Sequence, residues 1–111
     1  MKRLLFIGLT VLVASTGMAR AEAICDIENR WETLVDGEGL TVSGRISQSY
    51  GRDDDGNYSY DLEDRCGLVY IGHDRPITCS GRLTIFGNYD EFVTFDGFGE
   101  IAIWVNQTRC D

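Results

Sequence analysis

The chain has 111 residues, 18 of them acidic against 10 basic, and a formal net charge of −8. That length holds one small domain rather than two. The acidic balance argues against a surface that tracks phosphates, which needs clustered lysine and arginine.

Lys2 and Arg3 precede an uncharged apolar run from Leu4 to Ala14, and Ala19-Arg20-Ala21 and Ala21-Glu22-Ala23 give two overlapping A-x-A sites. The pattern predicts a secretory signal peptide over 1–23, cleaved after Ala21 or Ala23, with an apolar part too short to span a membrane. Ile24 is too large for the residue before a lipidated Cys25. A single domain over 24–111 is expected, periplasmic or secreted, with no membrane attachment. The leader takes Lys2, Arg3, Arg20 and Glu22, so seven basic and seventeen acidic residues remain, a formal net of −10 without a lysine. On that charge no nucleic-acid partner is expected, and anionic membranes are disfavoured too. Cys25, Cys66, Cys79 and Cys110 all lie in the mature part. In an exported domain this small they predict two disulfides, each worth about 2–4 kcal/mol. No C-x-x-C occurs, which argues against zinc.

Cys25 to Asp36 shows apolar residues at roughly helical spacing, though Trp31 to Val35 also fits a short strand. Asp36-Gly37-Glu38-Gly39 is a turn. Leu40 to about Ser49 alternates strictly, with Leu40, Val42, Gly44 and Ile46 on one face, and predicts a half-buried strand. Tyr50 to Asn57 is a loop by composition. Tyr58 to Glu63 is the second strand, and Leu68 to Gly72 a third, apolar on both faces. After the only proline, Pro76, a fourth strand runs from Arg82 to Tyr89, with Gly87 placed as Gly44 is in the first. Mid-strand glycines mark bends or close backbone approach, so these two strands are expected to pair and close a barrel. Residues 89–99 read as an aromatic loop, or a hairpin arm turning at Asp96-Gly97. Glu100 to Asn106 is the fifth strand. The class is all-β.

The V-x-G-x-I first strand, the aromatic second strand and the G-R-L-x-I-x-G fourth strand resemble an oligonucleotide/oligosaccharide-binding (OB) fold, as in small exported bacterial OB-fold proteins. The resemblance implies a five-stranded barrel over Leu40 to Val105. The helix that usually joins strands three and four would be reduced to a loop between Gly72 and Gly81. It also implies Cys25–Cys66 with Cys79–Cys110, because those cysteines then share barrel ends. Cys66–Cys79 with Cys25–Cys110 stays open, since fourteen residues separate Cys25 from Leu40.

OB folds hold ligands across strands two and three, between the one–two and four–five loops. On that pattern Tyr58, Tyr60, Tyr70, Tyr89, Phe92, Phe95 and Phe98 are the candidate binding residues, for a protein or a glycan. Tyr58, Tyr60 and Leu62 fit one wall of the core equally well. His73, the only histidine, reads as a solvated loop residue beside Asp74, and no nucleophile context accompanies it. No catalytic residue, cofactor or metal is assigned. Asp53-Asp54-Asp55-Gly56-Asn57 lacks the EF-hand spacing and reads as a solvated hairpin tip. The expected function is a non-catalytic binding module. An oligomer-assembly subunit is the alternative, and a small hydrolase the least favoured.

Overall fold

A computed structural model describes residues 20–96 and 99–111. The expected leader up to residue 19, and Phe98, lie outside the described residues. The elements are α1 (Ile24–Asn29), a 3-10 turn (Trp31–Thr33), β1 (Gly39–Arg52), β2 (Tyr58–Glu63), β3 (Leu68–His73), β4 (Leu83–Tyr89), α2 (Glu91–Asp96) and β5 (Ala102–Cys110).

The five strands form a closed barrel in the order β1-β2-β3-β5-β4. β3 and β5 are parallel, every other pair is antiparallel, and the β1–β4 ladder closes the ring. This is the OB strand order. No helix stands between β3 and β4. β1 makes the closure possible by serving two neighbours: it pairs with β4 from Gly39 to Gly44, then with β2 from Arg45 to Arg52. Gly44 is the residue at which it changes partner. A Cβ there would overlap the Glu63 carbonyl, and one on Gly87 would overlap the Trp104 carbonyl. Both glycines are therefore demanded by backbone approaching backbone.

Leu40, Val42, Leu62, Val69, Ile71, Leu83, Ile85, Ile103 and Val105 fill the interior. The segment ahead of β1 is helical where its spacing left helix and strand open. Ile24 and Ile27 of α1 join the same core, and α1 packs against the β2–β3 turn at Gly67. Two devices hold α1 there. One is the Cys25–Cys66 bridge. The other is Asp64, which accepts backbone N–H groups from Ile24, Cys66 and Gly67, each at 2.9 Å. The second bridge, Cys79–Cys110, ties the chain ahead of β4 to the end of β5. Arg30 is clamped between Glu22 and Glu38, and the Glu22 N–H donates to the Thr41 carbonyl.

Two of the strands are longer than their sequence patterns suggest. β1 continues through Arg52 and β5 through Cys110. Ladder hydrogen bonds carry them beyond the point where hydrophobic alternation stops.

Replacing Gly44 or Gly87 by alanine is expected to cost about 1–3 kcal/mol in denaturant unfolding. Gly81→Ala, whose Cβ would only graze the Arg45 side chain at 3.9 Å, is expected to be nearly neutral. Burial pushes the Asp64 carboxyl up, but its three backbone donors, helped by Arg82, outweigh this and hold it below the ordinary aspartate value. Its contribution to stability is therefore present above about pH 4 and lost as pH falls through its folded value. Thermal melts of Asp64→Asn should show a lower Tm at neutral pH and a shallower acid limb.

Candidate functional site

Each strand of the barrel has one face outside. On β2 the outward residues are Ser59, Asp61 and Glu63, paired across to Gly72, Tyr70 and Leu68 of β3. β5 adds Ala102 beside Tyr70 and Trp104 beside Gly72. The Trp104 ring lies against Gly72, about 3.3 Å from where a Cβ would stand. A register shift in β1 between Ile46 and Gln48 moves one residue out of step. Unbroken alternation would point Tyr50 inward with Leu40 and Ile46. The bulge turns it onto the outer face, where its ring centroid is 5.9 Å from that of Tyr70.

The β1–β2 hairpin walls this face on one side and α2 on the other. Between them runs a groove of about 210 Å³, lined by Asp53 and Asn57 of the hairpin, Tyr58, Tyr70 and Trp104 of the sheet, and Val93 of α2. Asp53 is tied up within its own turn, its Oδ1 accepting the N–H groups of Asp55 and Asn57.

Asp61 sits between the two tyrosines and is only 8 % exposed. Its Oδ2 accepts a 2.7 Å hydrogen bond from the Tyr50 hydroxyl. That bond, burial and the nearby Asp61 and Glu100 carboxyls push the Tyr50 phenol up to about 12. Glu100, just ahead of β5, has its carboxyl beside that of Asp61. Burial first, then the Asp61 charge and hydrogen bond, raise it above the ordinary glutamate value.

Within the stretch read as a loop or hairpin arm, Glu91–Asp96 is instead helix α2. Asp90 caps it: its Oδ1 accepts from the Val93 N–H and its carbonyl from Thr94. The buried Thr94 hydroxyl also accepts the Ala102 N–H at 2.9 Å, pinning α2 to β5. Helical spacing sends Phe92 and Phe95 to one side, 75 % and 63 % exposed, and Val93 and Thr94 to the other. Phe95 meets Trp31 edge-on at 6.0 Å. Trp31, Phe92 and Phe95, with Val35 nearby in sequence, leave an exposed apolar patch on the side of α2 away from the groove.

The candidate residues are thus divided. Tyr70 lies in the groove and Tyr58 at its edge. Tyr60 and Tyr89 are buried in the core, so neither presents a surface to a ligand. The even-numbered face of β2 is the inner one, and the Tyr60 hydroxyl accepts the Ile77 N–H. Phe92 and Phe95 form a separate surface. His73 is buried at the end of β3 rather than solvated in a loop, with Nδ1 3.0 Å from the Val105 carbonyl. Carbonyl oxygen only accepts, so Nδ1 carries the proton. Sequence reasoning passed over Trp104, Tyr50, Asp61 and Glu100. The alternation of β5 did set Trp104 apart from Ile101, Ile103 and Val105, which was the available signal.

No protein-family model matches the chain, and comparison with curated proteins returns no match. Among solved structures it is similar to the second OB-fold domain of replication protein A from Methanococcus maripaludis. The TM-score is 0.49 and the identity 16 %, over 69 % of this chain and 87 % of that one. The exclusion of a nucleic-acid partner does not stand. The physical reason is that a charge summed over the chain does not describe any one face, and OB ligand faces serve oligonucleotides as well as oligosaccharides. No helix among the described residues is long and apolar enough to cross a membrane.

In a spectrophotometric titration one phenol, Tyr50, is expected to ionise only near pH 12. Asp61→Asn should bring that step back toward 10.

Proposed function

We propose that this chain is a non-catalytic exported binding module whose ligand, a protein or a glycan, lies across the β2–β3–β5 face. The observation that carries this reading is the groove that opens Tyr58, Tyr70 and Trp104 between two flanking walls. A concave, partly aromatic surface with a few polar groups at its rim is the ordinary form of a binding site. Its position agrees with the strands and loops that OB barrels use. His73, buried and engaged with Val105, supports the non-catalytic reading.

Export is supported by the leader pattern and by two disulfides, which suit an oxidising compartment. Between the two cleavage sites, the bonds of Glu22 to Arg30 and Thr41 favour cleavage after Ala21. Loss of Glu22 would leave Arg30 with one carboxylate partner. Intact-mass measurement of the exported protein is expected to give a chain starting at Glu22, and a start at Ile24 would count against this.

The exposed patch of Trp31, Val35, Phe92 and Phe95 favours a second reading, a subunit of an assembly. Light scattering at high concentration separates the two: a monomer counts against assembly. The test of the groove is binding by wild type, Trp104→Ala and Phe95→Ala, using a glycan array and affinity capture from the exported compartment. Trp104→Ala is expected to weaken the interaction at least about tenfold, in the range of an interface hot spot. Loss with Phe95→Ala alone would move the site to the outer side of α2.

A further inference from the structure

A carboxylate pair lies beside the two outward tyrosines. Asp61 is more than nine-tenths buried, and only one of its oxygens is satisfied, by Tyr50. The other, Oδ1, is buried without a hydrogen-bond partner among the described residues. Glu100 brings a second carboxyl beside Asp61. The ion pairs among the described residues use Arg30, Arg75, Arg82, Arg109 and His73, and none reaches Asp61 or Glu100. Arg52, at the hairpin, curls toward Gly56 instead. Two adjacent carboxyls with an unsatisfied buried oxygen form a half-completed network, and such a network is costly until a donor completes it.

We infer that Asp61 and Glu100, flanked by the rings of Tyr50 and Tyr70, form a subsite for the guanidinium or ammonium group of an arginine or lysine side chain on a basic protein partner. The inference rests on the groove being the ligand face, and it names the chemistry recognised there. A guanidinium supplies paired N–H donors that match carboxylates bidentately, and its plane stacks on aromatic rings. A neutral glycan supplies donors but no countercharge. No group of three or more His, Cys, Asp or Glu side chains that could hold a metal ion occurs among the described residues. Asp53 and Asp90, which also line the groove, extend the negative potential along it.

In the free protein, burial and the neighbouring Asp61 raise the Glu100 carboxyl above the ordinary glutamate value. The groups facing Glu100 are Asp61 on β2, Tyr50 on β1 and, more distantly, Glu28 on α1. A cation between the two carboxyls favours the charged form of Glu100, so affinity should rise as pH climbs through the raised Glu100 value.

The experiment titrates a hexa-arginine peptide into 15N-labelled protein, beside hexa-glutamine, a neutral oligosaccharide and a single-stranded oligonucleotide. Amide shifts are expected at Tyr50, Asp61, Tyr70 and Glu100 with hexa-arginine alone. Asp61→Asn and Glu100→Gln should each weaken binding at least tenfold and flatten its pH dependence. Glu91→Gln, which removes the same charge from α2, should change it less than twofold. Equal weakening by all three variants would reduce the effect to diffuse attraction and overturn the subsite. No binding, or shifts at these residues from the oligosaccharide or oligonucleotide instead, would overturn it as well. Tm measured for each variant separates lost binding from lost folding. If a partner captured by the protein needs Trp104 but ignores Asp61→Asn, the subsite fails and the groove reading stands. Shifts confined to Phe92 and Phe95 would sink both.

Discussion

The contact on which the barrel depends is backbone against backbone at Gly44 and Gly87. β1 must leave β4 and join β2 within one residue, and it does so by passing against the Glu63 carbonyl with no side chain between. At Gly87, β4 comes equally close to Trp104 of β5, and its register slips by one residue. A closed ring of five strands has little room, so its corners fall where the chain can bend hardest. Past the first corner β1 acquires its bulge, and that bulge turns Tyr50 outward toward Tyr70. The outer face thus owes its aromatic pair to how the ring is closed.

A second constraint acts at the edge of the barrel. With the β3–β4 connection free of helix, α1 supplies Ile24 and Ile27 to the core. A six-residue helix has little stability of its own. It is retained by a disulfide, by three N–H groups converging on Asp64, and by two buried isoleucines. Covalent, polar and apolar ties all meet within a few residues of the β2–β3 turn.

Much of the barrel was legible because half-buried strands alternate. Leu40 to Ile46 and Leu83 to Tyr89 could be read from period two, Leu68 to Gly72 from its continuous apolar run, and the two glycines from their equivalent positions. The site was less legible. Tyr60 and Tyr89 were attractive as aromatics, but alternation alone does not say which face of a strand is inner, and both are core. Tyr50 was hidden by a bulge that leaves no mark in composition. α2 was hidden because Phe92-Val93-Thr94-Phe95 fits a strand as well as a helix turn. The deciding feature is the cap at Asp90 and the tie from Thr94 to Ala102, a contact with the neighbouring strand. Asp61 and Glu100 are 39 positions apart, and it is the pairing of β2 with β3 and of β3 with β5 that draws them together.

Helix α2 is a party wall. Val93 faces the groove while Phe92 and Phe95 face the opposite surface, and Thr94 fastens the helix to β5 between them. A ligand on either side that shifts this single turn-and-a-half of helix changes the shape offered on the other. By linkage, the factor by which one occupant alters its neighbour's affinity is returned in full. Two surfaces built on one short element can therefore act as one cooperative unit, with no motion in the barrel itself.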